Sequence, residues 1–163
     1  PDKSFTSAYA CLQLLGNGTM FFDKAYLGLA SAAPADPEFL PAQDENRLLN
    51  PSMEMTTQEG LPVQWAVLSE KDGRGALDSS RAFNGANSLM LSCPDDIKQP
   101  ARLLWMQRNI QGRLLDCPPG TEMELAVHAD TAGDPSVHFR FYIEMMKGGR
   151  FIGSMIFGMY GRG

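Results

Sequence analysis

Apolar and polar residues alternate with a period of two in several stretches of this chain, the signature of strands buried on one face. In Glu124 to Asp130, Leu125, Val127 and Ala129 fall on one side and Glu124, His128 and Asp130 on the other. In Ser136 to Glu144, Val137, Phe139, Phe141 and Ile143 oppose Ser136, His138, Arg140, Tyr142 and Glu144. In Leu103 to Gln111 the pattern predicts Leu104, Met106 and Ile110 inward and Trp105, Gln107 and Asn109 outward, with Arg108 disturbing the register. Ser88 to Ser92 and Phe151 to Met159 read as further strands. Ala8 to Leu15 and Thr19 to Leu29 flank Gly16-Asn17-Gly18, and Asn-Gly between two β-rich runs predicts a hairpin. Turns are expected at Pro118-Pro119-Gly120, Gly133-Asp134-Pro135 and Lys147-Gly148-Gly149. Helical signals are confined to a turn or two near Asp95 to Arg102. The expectation is an all-β fold, a sandwich of antiparallel strands.

Organisation follows from where these patterns stop. Residues 1–29 hold the expected hairpin. Residues 30–48 (ASAAPADPEFLPAQDENRL) are rich in Ala, Pro and acids without periodicity, and read as an extended connector. Residues 49–163 carry the succession of strands. Sixteen Gly and eleven Pro among 163 residues interrupt helices and suit short strands with frequent turns, while 44% hydrophobic residues suffice for a proper core.

Charge and cysteine content narrow the partners. At a formal net charge of -5 the chain lacks the cationic surface that drives binding to phosphate backbones, so nucleic acid is a poor partner. No apolar run is long enough for a transmembrane helix. The opening Pro1-Asp2-Lys3-Ser4 does not read as a secretory leader, and without an initiator Met the chain reads as a processed or excised piece. Cys11, Cys93 and Cys117 have no metal-ligand spacing; one disulfide, Cys93 to Cys117, and three buried thiols both fit the count.

A series of short motifs then appears in order: Asn50-Pro51-Ser52-Met53-Glu54, Gly60-Leu61-Pro62-Val63-Gln64-Trp65, Gly85-Ala86-Asn87-Ser88-Leu89-Met90-Leu91, Gln107-Arg108-Asn109-Ile110 and Pro119-Gly120-Thr121. This order resembles the carbohydrate-binding modules with a galactose-binding-like jelly roll, with Met53 standing where those modules usually carry an aromatic residue. Trp65, after its Gly-Pro turn, is expected to plug one end of the sandwich. Gly18 to Leu27 (GTMFFDKAYL) looks like the closing strand of the same family, yet it stands first in the chain. Either residues 1–29 end one module and Leu49 opens the next, or residues 8–29 fill the final-strand position of the 49–163 sandwich. The second is favoured, because a sandwich without those strands exposes edges and core. Completion within the chain and exchange with a neighbouring module both satisfy it.

The resemblance implies a jelly-roll sandwich that binds an oligo- or polysaccharide within a secreted or cell-surface multidomain protein. It also implies a structural Ca²⁺, with Glu54 of the opening strand and Asp23 of the closing strand as ligands. The residues themselves offer Trp105, Gln107, Asn109, Glu124, His128, His138, Arg140 and Tyr142 as one polar, aromatic surface if their strands are neighbours. The plain alternative is the solvated side of an antiparallel sheet. Catalysis has little support: His128 and His138 lack helical metal spacing, and no nucleophile elbow or phosphate loop is present. Glu124 and Glu144 are the carboxylates to consider for acid–base work, though exposed strand carboxylates usually just face solvent. The expected class is a non-catalytic binding module, and the alternative is an architectural or protein-contact sandwich.

Overall fold

A computed structural model describes residues 5–30, 46–69, 73–96, 102–108, 110–115 and 120–157. The chain folds as two antiparallel sheets packed face to face, a β-sandwich. Its strands are β1 (Ser7–Leu15), β2 (Gly18–Leu29), β3 (Trp65–Ser69), β4 (Arg74–Asp78), β5 (Ser88–Cys93), β6 (Leu103–Gln107), β7 (Met123–Asp130), β8 (His138–Lys147) and β9 (Arg150–Phe157). A single turn of helix, α1 (Gln111–Leu115), follows β6. The five-stranded sheet has the order β3-β6-β1-β8-β9 and the four-stranded sheet β4-β5-β2-β7. Asn109, Cys117, Pro118, Pro119 and most of the expected connector lie outside the described residues.

The alternation in β7 and β8 decides how the two sheets meet. Val137, Phe139, Phe141 and Ile143 join Leu12, Leu14, Met20, Phe22, Leu89 and Leu91 in one buried cluster, with Leu125, Val127 and Ala129 packed against it. Phe22 and Phe139 meet edge to face across the sheets, at 5.6 Å and 72°. Such a pair adds about 1 kcal/mol beyond its burial. Trp65, the first residue of β3, is buried in the main core cluster and donates its indole N–H to the Asn50 carbonyl at 3.1 Å.

The N-terminal strands differ from the expectation in one respect. Gly16-Asn17 joins β1 and β2, but the two strands do not pair; β1 lies between β6 and β8, and β2 between β5 and β7. The turn is an arch between sheets instead of a hairpin. Positive φ falls on Gly16 (91°) and Gly18 (109°) and not on Asn17, so the two-residue geometry that Asn-Gly favours does not form. Residues 8–29 nonetheless complete the sandwich, as the central strand of each sheet.

The register expected for β6 is inverted. Leu103 and Trp105 face the main core, and the Trp105 indole N–H donates to the Met90 carbonyl at 3.1 Å. Leu104 and Met106 point to the outer side of the larger sheet, where they pack with Cys11, Tyr142 and Tyr9. Both sides of β6 are apolar, so alternation alone does not choose between them. The indole wins the interior because it removes the largest apolar area from water and finds a carbonyl there. The helical turn sits at Gln111–Leu115, after β6, and residues 97–101 of the stretch expected to hold it lie outside the described residues.

Candidate functional site

The side chains expected to share one surface are divided by the topology. Trp105 and Gln107 are buried, the latter fully. Gln107 exchanges hydrogen bonds with the Leu49 backbone: Leu49 N–H donates to Oε1 at 2.7 Å and Nε2 donates to the Leu49 carbonyl at 2.6 Å. It is thus a structural clip between β6 and the 49–50 segment, and as a fully buried side chain it keeps its amide paired. His138, Arg140 and Tyr142 lie on the outer side of the larger sheet, because their alternates Phe139, Phe141 and Ile143 face the core. Glu124 and His128 lie on the outer side of the smaller sheet by the same reasoning. The two groups sit on opposite sides of the sandwich, and a common ligand surface is not assembled.

On the larger sheet, Arg102 closes over Tyr142 and Glu144, with Nη2 donating to the Tyr142 hydroxyl at 3.2 Å and the Glu144 carboxylate at 2.8 Å. Tyr142 is buried, and burial, followed by the negative charge that Cys11 carries as a thiolate, pushes its phenol up to about 12. Burial and then the negative charge of Glu144 push the Cys11 thiol up to about 12 as well.

On the smaller sheet a more open arrangement forms where β2 is interrupted. The register with β7 slips between Asp23 and Tyr26, and Lys24 takes a φ of 47°. Bulges of this kind turn side chains out of the ladder and free backbone groups. Here the Ala25 N–H leaves the sheet and donates to the Pro51 carbonyl at 2.9 Å, which draws the 50–54 segment against β2. Asn50 knots that segment, its side chain bonding Met55 N–H and both the Met55 and Val63 carbonyls, each at 2.9 Å.

The bulge and the knot bring Asp23 and Glu54 to one loop, residues 79–87 between β4 and β5. Asp23 Oδ2 accepts the N–H groups of Phe83 (2.9 Å) and Asn84 (3.1 Å), and Oδ1 accepts that of Lys24 (2.7 Å). Glu54 Oε1 accepts those of Ala86 and Asn87, each at 3.0 Å, and Oε2 takes the Asn87 side-chain amide at 3.3 Å. Gly85 sits between these pairs at a φ of 100°, and a Cβ there would collide with the Glu54 carboxylate. Burial pushes the Asp23 carboxyl up, against the pull of the Asn84, Lys24 and Phe83 N–H groups; the charge of Glu54 adds to the rise.

So held, the loop lies over the outer side of the smaller sheet. The Phe83 ring stacks on His128 with centroids 3.7 Å apart and planes 27° apart, and Lys24 Nζ stands 5.7 Å from the Phe83 centroid. Arg81 lies over Phe21 at 5.6 Å and pairs with Asp130 at 3.0 Å. Burial holds the His128 imidazole below its usual range, with Asp23 and Asp130 pulling it back and Lys24 adding to the fall. Phe83 keeps 38% of its surface exposed. The result is a partly exposed ring stacked on an imidazole with an ammonium over it, and an Arg81–Asp130 ion pair on the same side of the sheet.

Sequence reasoning identified Asp23, Glu54 and His128 but missed Phe83 and Arg81. The available signal was a lone aromatic in the polar run Asp78-Ser79-Ser80-Arg81-Ala82-Phe83-Asn84, which alternation does not reach. Among the described residues no group of three or more His, Cys, Asp or Glu side chains is placed to hold a metal ion. Asp23 and Glu54 each already take three N–H donors, which leaves about one lone pair apiece for anything further. No family model, no curated protein and no solved structure matches the chain.

Proposed function

We propose that the chain is a non-catalytic carbohydrate-binding module of a secreted or cell-surface multidomain protein, its sandwich a jelly roll of the galactose-binding-like kind. The observation that carries the reading is the half-exposed Phe83 ring on His128, beside Arg81 and Asp130. A sugar presents apolar C–H faces to a ring and hydroxyls to directed donors and acceptors, and this patch supplies both within one surface. The ordered motif series from Asn50 to Thr121 supports the same reading, with Asn50 and Trp65 joined by a hydrogen bond. The ligand is an oligo- or polysaccharide. Its position moves from the Trp105 face expected from alternation to the Phe83 patch.

A panel of soluble oligosaccharides and insoluble polysaccharides, titrated against the native chain and the Phe83→Ala and His128→Ala variants, tests the proposal. Binding by the native chain, weakened at least tenfold in both variants with unchanged unfolding midpoints, is the expected result. A panel on which the native chain binds nothing sinks it.

Structural Ca²⁺ belongs to the same proposal. The one lone pair left on each of Asp23 and Glu54 would supply only two of the six to eight oxygens that such an ion takes, and the ion would add to the charge neutralisation that the loop N–H groups supply in part. A rise in unfolding temperature with Ca²⁺, reversed by a chelator and absent in Glu54→Gln, is expected; no response to the ion removes it from the proposal.

One observation favours an architectural role instead. The outermost strand β9 exposes Phe151 (58%), Ile152 (44%) and Met155 (36%). Apolar residues on a sheet edge suit contact with protein better than with a hydrated glycan. A silent glycan panel turns the reading to that role.

A further inference from the structure

Two carboxylates clamp the loop of residues 79–87 on either side of one glycine. Asp23 takes the N–H groups of Phe83 and Asn84, and Glu54 those of Ala86 and Asn87. Gly85 between them holds a φ of 100°, and a Cβ there would strike the Glu54 carboxylate. The clamp therefore requires glycine at this position, for backbone reasons and for space. The Gly85 N–H is the one among residues 83–87 that neither carboxylate holds.

The residue before this glycine is Asn84. Its side-chain amide and the Gly85 N–H have no hydrogen-bond partner among the described residues, and both residues are exposed. Asparagine is a thermolabile side chain, most of all before glycine, where no Cβ shields the next nitrogen from the side-chain carbonyl. In that reaction the Gly85 nitrogen bonds to Asn84 Cγ, the Cγ–Nδ2 bond breaks, and ammonia leaves with the proton that Gly85 gives up. Water then opens the five-membered imide at either carbonyl, leaving aspartate or isoaspartate. Water is the only co-reactant, and nothing is oxidised or reduced.

We infer that Asn84 is a self-modification site, whose loss of ammonia unlatches the loop and takes Phe83 off His128. Both products work against the clamp. The new carboxylate stands on the residue whose N–H Asp23 holds, with Glu54 gripping the far side of Gly85, and like charges so placed repel. Isoaspartate also adds one backbone carbon, about 1.5 Å of chain, between two pairs of N–H groups held by separate carboxylates.

A second Asn-Gly bond in the chain, Asn17-Gly18, supplies the contrast. Gly18 lies in the β2–β5 ladder opposite Cys93, and Asn17 Oδ1 accepts from the Cys93 thiol at 4.0 Å. Both residues are half-buried. The two bonds share the same local chemistry, so a difference between them in the folded protein comes from structure.

The native chain, warmed at mildly alkaline pH in heavy-oxygen water, is digested at intervals and read by mass spectrometry, beside a sample kept unfolded in urea. In the folded sample the Asn84 peptide should take up one heavy oxygen at least tenfold faster than the Asn17 peptide, and in urea the two rates should converge. The His128 ring protons, shifted by the stacked Phe83 ring, should move toward free-imidazole positions in the converted fraction. Asn84→Gln, whose longer amide closes a ring far more slowly, should keep the native signals over the same time. These readouts need no glycan and are independent of what the Phe83 patch binds. An Asn84 peptide that stays unlabelled, or that converts no faster than the Asn17 peptide in the folded sample, overturns the site. Native His128 signals in the converted fraction, or the same movement in aged Asn84→Gln, overturn the unlatching.

Discussion

Asp23 and Glu54 hold opposite halves of one loop, Asp23 by the N–H groups of Phe83 and Asn84 and Glu54 by those of Ala86 and Asn87. Both carboxylates reach it because the bulge after Asp23 hands the Ala25 N–H to Pro51 and so lays the segment before Glu54 against β2. The loop in turn sets Phe83 on His128.

The Asp23 carboxyl is raised by burial, so the folded protein holds that proton more tightly than the unfolded chain. A raised carboxyl contributes stability that is present below the unfolded value and is lost as pH rises through the folded one. Compared with Asp23→Asn, which cannot titrate, the native protein should therefore be relatively more stable at about pH 4 than at about pH 7. Urea unfolding of both proteins at the two pH values checks the sign. Asp23→Ala, which orphans the N–H groups of Lys24, Phe83 and Asn84, should cost about 3 kcal/mol at neutral pH.

Gly85→Ala should open the Glu54 half of the clamp. The position combines a φ of 100° with a Cβ that would meet the Glu54 carboxylate, whereas Gly120, at a φ of 85°, has nothing within 4 Å of its own. Gly120→Ala should cost about 1 kcal/mol from the backbone alone, and Gly85→Ala about 2 kcal/mol or more. Amide exchange at Ala86 and Asn87 should speed up in the second variant and not in the first.

Gln107→Ala removes both halves of the clip to Leu49 from a fully buried position, leaving an N–H and a carbonyl without partners. A loss of about 3 kcal/mol in denaturant unfolding is expected. Gln107→Met refills the volume but not the hydrogen bonds, so it should recover less than half of that loss.

The Cys11 thiol, pushed up to about 12 in its buried cluster, should resist alkylation at pH 8 for as long as the protein stays folded. Unfolding in urea should restore the rate of an ordinary thiol. Mass spectrometry of the Cys11 peptide at intervals after adding iodoacetamide gives both rates, and rapid native labelling would show that the cluster opens.

Part of this structure is legible from residue pattern. Alternation in β7 and β8 names the inward side chains correctly, because each of those strands has one apolar side. The Gly-Pro turn before Trp65 marks a buried ring, and the aromatic run after Gly18 marks a strand, which the resemblance puts in the closing position and the structure puts between β5 and β7. Alternation fails in β6, where Leu104 and Met106 are as apolar as Leu103 and Trp105 and the outer side holds a small cluster of its own. It fails again for the candidate site, since Phe83 and Arg81 come from an irregular loop with no period to read.

By itself, then, the sequence determined that the chain is a sandwich of antiparallel strands and which residues β7 and β8 bury. A period of two tells which side of a strand a residue occupies, but not which strand lies beside it. Only the tertiary structure decided that β1 and β2 part into different sheets, that β7 and β8 turn their polar sides in opposite directions, and that a loop carries Phe83 onto His128. Those are long-range pairings, fixed by how the whole core closes.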